Sequence, residues 1–108
     1  GRVGGLTQAI EINRICHQGG IQCWVGGMLE SSLGRHLCAC LASLDNMQGY
    51  PSDITASSRY FNPDVSKPAF ELVGPSTVAL SESIGIGAEP DPKLLDSVTV
   101  QKETLTDT

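Results

Sequence analysis

The sequence has little positive charge, and this limits the partners that it can bind. Seven Lys and Arg residues stand against 12 Asp and Glu, so the formal net charge of the 108-residue chain is -5. A nucleic-acid surface needs basic side chains that neutralise phosphates, and no segment carries such a stripe. We therefore expect no nucleic-acid partner.

A long apolar run is also missing. The most apolar stretch, residues 21–29, is broken by Gln22, Gly26 and Gly27, and it is much shorter than the roughly 20 residues that span a bilayer. The first residues include neither an initiator methionine nor the apolar core and cleavage site of a signal peptide. These absences predict no membrane segment and a chain that begins within a longer protein.

Cysteine pairs with the Cys-x-x-Cys spacing of metal sites are absent. The four cysteines are Cys16, Cys23, Cys38 and Cys40. In a helix, the side chains of Cys38 and Cys40 would point about 200° apart and could not bind one ion. Disulfides and a metal cluster with His17 and His36 are the alternatives, but free cysteine is among the most often buried residue types. We predict buried, reduced thiols and a reducing cytoplasm.

The sequence does contain alternating helix and strand signals. Apolar residues spaced along residues 6–16 predict a helix that Thr7 can cap and that ends at Gly19-Gly20. The apolar run at residues 21–25 contains β-branched and aromatic residues between glycine pairs. Such a run is typical of a buried parallel strand.

A second helix and a second strand follow. Apolar residues recur at helical spacing from Leu33 to Leu44, after Ser31 or Ser32 as a cap, and residues 50–54 predict a short strand. This order is α/β and implies parallel strands joined by right-handed crossovers. Two strands and two helices cannot close a sheet, and an α/β barrel needs roughly 250 residues. We therefore expect the chain to be part of a larger protein.

From residue 62 onward the sequence is rich in proline and turn residues. Residues 70–73 and 77–80 predict short strands, and Gly85-Ile86-Gly87 predicts a turn or a close-packing site. Asp91 can cap a short helix that runs to about residue 97. The polar residues 101–108 predict a frayed tail.

The candidate binding loop follows the first predicted strand, because ligands of α/β proteins bind at the carboxyl ends of strands. This 26–30 loop consists of Gly26, Gly27, Met28, Leu29 and Glu30. Its glycines allow a ligand to approach the backbone, and the amides of Ser31 and Ser32 favour an anionic group such as a carboxylate. Alternatively, the glycines only make a tight turn, and Glu30 complements the helix dipole.

Other polar residues give weaker signals. Asp53 would lie at the same rim, where it either orients a ligand or serves as a turn residue. His17 and His36 are expected on helices, at the surface or in the core, without a catalytic role. Arg35 and Arg59 can pair with carboxylates of the protein or of a ligand, of which pairing within the protein is the commoner use, and neither is singled out as a site residue. No Ser-His-Asp or Cys-His catalytic set stands out in the sequence, although Cys16, Cys23 and the two histidines would be the candidates for one.

Four motifs follow one another at a recognisable spacing. They are Arg2-Val3-Gly4-Gly5-Leu6, the run from Val25 to Glu30 continuing to Gly34-Arg35, Ala42-Ser43-Leu44, and Asp53-Ile54-Thr55-Ala56-Ser57-Ser58-Arg59-Tyr60. Together they resemble the C-terminal third of the o-succinylbenzoate synthase and N-acylamino-acid racemase family, in the enolase superfamily. The match covers about residues 1–100. The sequence departs from the family at residues 48–53, which lack a second glycine, and in the cysteine-rich stretch Cys38-Ala39-Cys40.

The resemblance implies an α/β fold. Residues 1–61 would form the C-terminal part of a TIM (β/α)8 barrel, with about strands seven and eight and their helices. Residues 62–100 would return to an α+β capping domain. The residues that carry over to the substrate pocket are Gly26, Gly27, Met28, Leu29 and, with less support, Glu30.

The resemblance also implies a chemistry for the intact parent. A lysine would remove the proton α to a carboxylate, and Mg²⁺ would stabilise the enediolate. The lysine bases and the carboxylate metal ligands are expected upstream of Gly1, so this chain would hold no catalytic residue and no metal ligand. On its own it would be inactive.

The implied activity is dehydration to o-succinylbenzoate in menaquinone synthesis, racemisation of N-acylamino acids, or both. The expected partners are a small-molecule carboxylate, the missing N-terminal part of the same protein, and further copies in a homo-oligomer. One alternative is another enzyme of the muconate-lactonizing type, such as a dipeptide epimerase or muconate cycloisomerase. A free-standing, non-catalytic binding module is the second.

Overall fold

The computed structural model describes residues 1–105, so the end of the predicted frayed tail, residues 106–108, lies outside the described part. The α-helices in this part are α1 (Leu6–Gln18), α2 (Ser32–Ala42) and α3 (Pro92–Val98). Two 3-10 turns cover Asp45–Met47 and Ser57–Arg59. The short strands are β1 (Ser66–Lys67), β2 (Leu72–Gly74), β3 (Thr77–Val78) and β4 (Glu89–Pro90). No described helix has the length and apolar character needed to cross a membrane.

Helix α1 confirms the first predicted helix, although its start differs. The residue before the helix is Gly5, with a φ of 126°, and no side chain caps the helix. The prediction that Thr7 is the cap is therefore wrong, because the chain enters the helix through the turn at Gly4-Gly5. The predicted stop is confirmed, since the amide of Gly19 donates to the carbonyl of Ile15 at 3.1 Å.

Helix α2 is the most buried helix of the chain. Its buried residues are Ser32, Arg35, His36 and Ala39. The helix ends at Ala42, two residues before the predicted Leu44, and a 3-10 turn follows. Ser31 is the N-cap residue, but its side chain makes no capping hydrogen bond.

Neither of the two predicted strands, residues 21–25 and 50–54, forms a ladder within the described residues, and we refer to them as the two extended segments. One backbone hydrogen bond joins them, from the amide of Asp53 to the carbonyl of Val25 at 2.9 Å. Exposure nevertheless alternates as in a strand, since Val25 is buried and Trp24 is 54 % exposed. A single hydrogen bond falls short of the evenly spaced series that joins parallel strands, and the amide of Cys23 donates instead to the carbonyl of Asn46 at 3.0 Å.

The C-terminal part contains two small antiparallel pairs. Strand β2 pairs with β3, and β1 pairs with β4. The predicted strands at residues 70–73 and 77–80 are thus present, but shorter than expected. The turn at Gly85-Ile86-Gly87 is confirmed by the positive φ of Gly85 (84°) and Gly87 (87°). The predicted cap of α3 is also confirmed, because Asp91 Oδ1 accepts from the amides of Lys93 and Leu94.

The interior is small and unusually polar. The buried apolar residues are Ala9, Val25, Ala39, Met47 and Phe70. The buried polar residues are Ser32, Arg35, His36, Ser57, Asp64 and Ser66. Helix α1 illustrates how little is covered, since Ile10 and Ile15 remain 45 % and 55 % exposed. So thin a core agrees with the expectation that the chain packs against further structure.

All four cysteines are free thiols, as predicted, but they are half-buried rather than buried. Burial, followed by contact with the Cys16 thiol, raises the pKa of Cys23. Burial and the nearby carboxylate of Glu30 raise the pKa of Cys38. Neither thiol therefore has the depressed pKa of a reactive cysteine.

Candidate functional site

The 26–30 loop connects the first extended segment to α2 and presents its apolar side chains outward. Met28 is 61 % exposed and Leu29 is 67 % exposed. Glu30 folds back instead, because its carboxylate accepts a hydrogen bond from the amide of Met28 at 2.8 Å. Glu30 thus makes a hydrogen bond within the loop, and the side chains of Met28 and Leu29 remain exposed.

A cavity of about 710 Å³ adjoins this loop. Four of the five predicted pocket residues line it, namely Gly26, Gly27, Met28 and Glu30. Leu29 is not among its lining residues. The volume lies within the range of small-molecule pockets, about 300 to 1,000 Å³.

The two loop glycines differ in their surroundings. A Cβ atom built on Gly27 would lie 1.7 Å from the carbonyl oxygen of Asp53, whereas on Gly26 it would meet only the Trp24 ring at 3.9 Å. Gly27 is therefore required for the close packing of the two extended segments. Asp53 makes this contact through its backbone, and its side chain is exposed.

Arg35 lies beneath the loop and is only 2 % exposed. Its Nε donates to the carbonyl of Glu30 at 2.9 Å, and its Nη1 donates to the carbonyl of Thr55 at 2.8 Å and to the Thr55 hydroxyl at 2.5 Å. Arg35 thus pairs with two backbone carbonyls and a hydroxyl rather than with a carboxylate of the described residues. Arg59 lies against the ring of Tyr60, 5.9 Å from its centroid.

A buried polar cluster at the start of α2 was not predicted from the sequence. The Oδ2 atom of Asp64 accepts from the Ser32 amide at 2.8 Å, from the Ser32 hydroxyl at 2.9 Å, and from the Ser57 hydroxyl. The amide of Phe70 completes the cluster by donating to Ser32 Oγ at 2.9 Å. The predicted preference of these amides for an anionic group is thus met at Ser32 by a carboxylate of the chain itself, so the Ser32 amide is not open to a ligand.

The charge state of Asp64 follows from these contacts. Burial, the largest single effect, raises its pKa, but the hydrogen bonds from Ser57 and Ser32 and from the backbone outweigh it. The net result is a pKa below the ordinary value for aspartate. Asp64 is therefore a carboxylate at neutral pH, which suits the positive end of the helix dipole.

The two histidines lie apart from the 26–30 loop. His17 is exposed, with Nδ1 3.4 Å from Asn46 Oδ1. His36 is buried and packs edge-on against Phe70, with a centroid distance of 5.0 Å. Nowhere in residues 1–105 do three His, Cys, Asp or Glu side chains come together in a group that could hold a metal ion.

The extended segments, their flanking helices and the loop between them define the C-terminal part of a (β/α)8 barrel, followed by a small α+β segment. The sequence profile described as enolase C-terminal domain-like matches residues 1–94. The chain therefore belongs to this family.

Comparisons with known proteins give the same assignment. The chain is 41 % identical over 102 residues to an N-succinylamino acid racemase of Amycolatopsis sp, covering 94 % of this chain and 27 % of that protein. It is 33 % identical over 105 residues to the o-succinylbenzoate synthase of Bacillus subtilis strain 168, covering 97 % and 28 %. A crystal structure of an enolase superfamily member from Listeria innocua superposes with a TM-score of 0.81 at 38 % identity, covering 89 % and 25 %. The chain thus spans about a quarter of the length of these relatives.

Proposed function

We propose that the protein to which this chain belongs is an o-succinylbenzoate synthase, an N-acylamino-acid racemase, or an enzyme with both activities. The names of the relatives support both reactions, since these relatives include synthases and a racemase. Both would begin with removal of a proton next to a carboxylate, so one pocket can serve them.

Within this function, the 26–30 loop lines the substrate pocket. The observation that carries the proposal is the exposure of Met28, which lines a cavity of about 710 Å³; the neighbouring Leu29 is exposed as well but lies outside the cavity lining. Two neighbouring apolar side chains left in water are unfavourable, by about 25 cal/mol for each Å² of apolar surface. A carbon skeleton placed against them would remove this surface from water, and Gly26 would leave room for its approach.

The remaining assignments follow the same proposal. Residues 1–61 form barrel strands seven and eight with their helices, and residues 62–100 belong to the capping domain. The enzyme uses Mg²⁺, acts on a small carboxylate in menaquinone synthesis, and works as a cytoplasmic homo-oligomer. We propose that the metal ligands and the lysine bases lie in other parts of the protein; within residues 1–105 no three His, Cys, Asp or Glu side chains form a group that could hold a metal ion.

An assay of the full-length protein tests this function. Purified with Mg²⁺, it should convert the cyclohexadiene carboxylate precursor to o-succinylbenzoate or racemise N-succinylamino acids. Inactivity in both reactions, with turnover of dipeptides or muconate, would overturn the assignment but keep the superfamily.

Substitution of Met28, which lines the cavity, tests the pocket itself. Met28→Ala removes apolar contact area, and we expect KM to rise about tenfold, which corresponds to about 1.4 kcal/mol of lost binding. Leu105→Ala is the control, because Leu105 is 95 % exposed in the C-terminal tail. Equal KM values for the two variants would remove Met28 from the pocket.

A further inference from the structure

Two buried charged side chains hold the end of the 26–30 loop. Arg35 is 2 % exposed and Asp64 is 7 % exposed. Buried charges are costly unless hydrogen bonds satisfy them, so the presence of two of them at one place needs an explanation. The hydrogen-bond partners of Arg35 and Asp64 provide that explanation.

Both side chains join the same two parts of the chain. Arg35 connects the carbonyl of Glu30 to the carbonyl and hydroxyl of Thr55. Asp64 connects the amide of Ser32 to the hydroxyl of Ser57. Residues 30–32 are thus tied to residues 55–57 by a cation on one side and an anion on the other.

Two other contacts join the same residues. The hydroxyls of Ser32 and Ser57 are hydrogen-bonded at 3.1 Å, and the backbone of Phe70 donates to Ser32 Oγ and accepts from the Ser57 amide. Among the described residues, one backbone hydrogen bond, from Asp53 to Val25, connects the extended segments directly. The 26–30 loop itself makes one internal hydrogen bond, between Met28 and Glu30. The side chains of Arg35 and Asp64 therefore provide most of the polar connections across this gap.

We propose that Arg35 and Asp64 are positioning residues, which together set the position of the 26–30 loop relative to residues 55–57. This inference rests on the proposed function, in which the loop contacts substrate. Neither side chain reaches the cavity beside the loop, since neither is among its lining residues. Both act through the loop backbone and through the first turn of α2.

The test uses the full-length protein with Arg35→Lys and Asp64→Asn. Lysine keeps the charge but lacks the planar fork that reaches two carbonyls at once. Asparagine keeps the shape but loses the charge that attracts three donors. The matched controls are Arg14→Lys and Asp96→Asn, which change exposed residues of α1 and α3. Ser57→Ala is a milder variant, should Asp64→Asn fail to fold.

Two readouts separate positioning from a general structural role. Amide hydrogen exchange of residues 27–32 should rise at least tenfold in both variants, while exchange in α1 stays within twofold of the wild type. With whichever substrate the wild type turns over, kcat/KM should fall at least tenfold, and the double variant should lose less than the product of the single losses.

Other results would overturn the inference. One is amide exchange that becomes faster to the same extent in all helices, while the folded variants keep the kcat and KM of the wild type. Another is exchange at residues 27–32 no different from that of the controls. If the wild type turns over neither substrate, the proposed function fails, but the exchange measurement still decides whether Arg35 and Asp64 hold the loop.

Discussion

Replacement of Gly27 by alanine tests how closely the two extended segments pack. A Cβ at this position would lie 1.7 Å from the Asp53 carbonyl oxygen, whereas ordinary contacts begin at 3.4 Å. The opposing group is backbone and cannot rotate away. The backbone of Gly27 must therefore move away from that of Asp53 by more than about 1 Å. This movement breaks the 2.9 Å hydrogen bond from the Asp53 amide to the Val25 carbonyl.

The expected cost combines two effects. Overpacking of a closely packed contact destabilises by about 1–3 kcal/mol, and loss of one hydrogen bond adds about 1 kcal/mol. We expect Gly27→Ala to lower the free energy of unfolding by about 2–4 kcal/mol. Gly26→Ala is the matched control, because its Cβ would meet only the Trp24 ring at 3.9 Å. Its effect should stay within about 0.5 kcal/mol.

Urea unfolding of the full-length protein and its two variants measures these free energies. Amide exchange at Asp53 provides a local readout, which should be faster in Gly27→Ala and unchanged in Gly26→Ala. If the two alanine variants unfold at the same urea concentration and protect Asp53 equally, the reasoning about Gly27 is refuted.

Three further predictions concern other parts of the chain. The pKa of Asp64 is lowered in the folded protein, so its carboxylate stabilises the fold at pH values above the ordinary pKa of 3.8 and loses this effect as the pH falls below that value. In acid titrations, the free energy of unfolding of Asp64→Asn should therefore fall less steeply than that of the wild type between about pH 5 and pH 2. Asp91→Ala should cost about 1 kcal/mol through loss of the α3 cap, whereas Asp96→Ala on the same helix should change the unfolding free energy by less than about 0.5 kcal/mol. Iodoacetamide at pH 8 should modify Cys23 and Cys38 more slowly in the native protein than in urea, as measured by mass spectrometry, because their raised pKa values leave less thiolate; equal rates would contradict this.

Local signals in the sequence predicted the helices and turns well. Helix α1 ends just before Gly19-Gly20, and α3 begins just after its cap Asp91. Both ends were predictable because caps and stop signals act within a few residues of the helix ends. The turn at Gly85-Ile86-Gly87 is also a local signal, because glycine readily adopts the positive φ that both of its glycines have. The Thr7 cap was predicted wrongly, since Gly4 and Gly5, with positive φ, already define where the helix begins.

Interactions between distant residues were harder to predict. The partners of Arg35 lie up to 20 residues away, and Asp64 and Ser32 are 32 residues apart. No periodicity or spacing in the sequence brings such residues together. The two strands predicted at residues 21–25 and 50–54 form no ladder within the described residues, where one backbone hydrogen bond joins them, so their role as barrel strands stays a prediction.

A crystal structure of the full-length protein with Mg²⁺ and o-succinylbenzoate bound tests the central claim most directly. The account predicts that residues 21–25 and 50–54 are adjacent barrel strands and that Met28 and Leu29 contact the ligand. A ligand bound away from the 26–30 loop, or a closed unit formed by residues 1–105 with no barrel around it, would contradict the account.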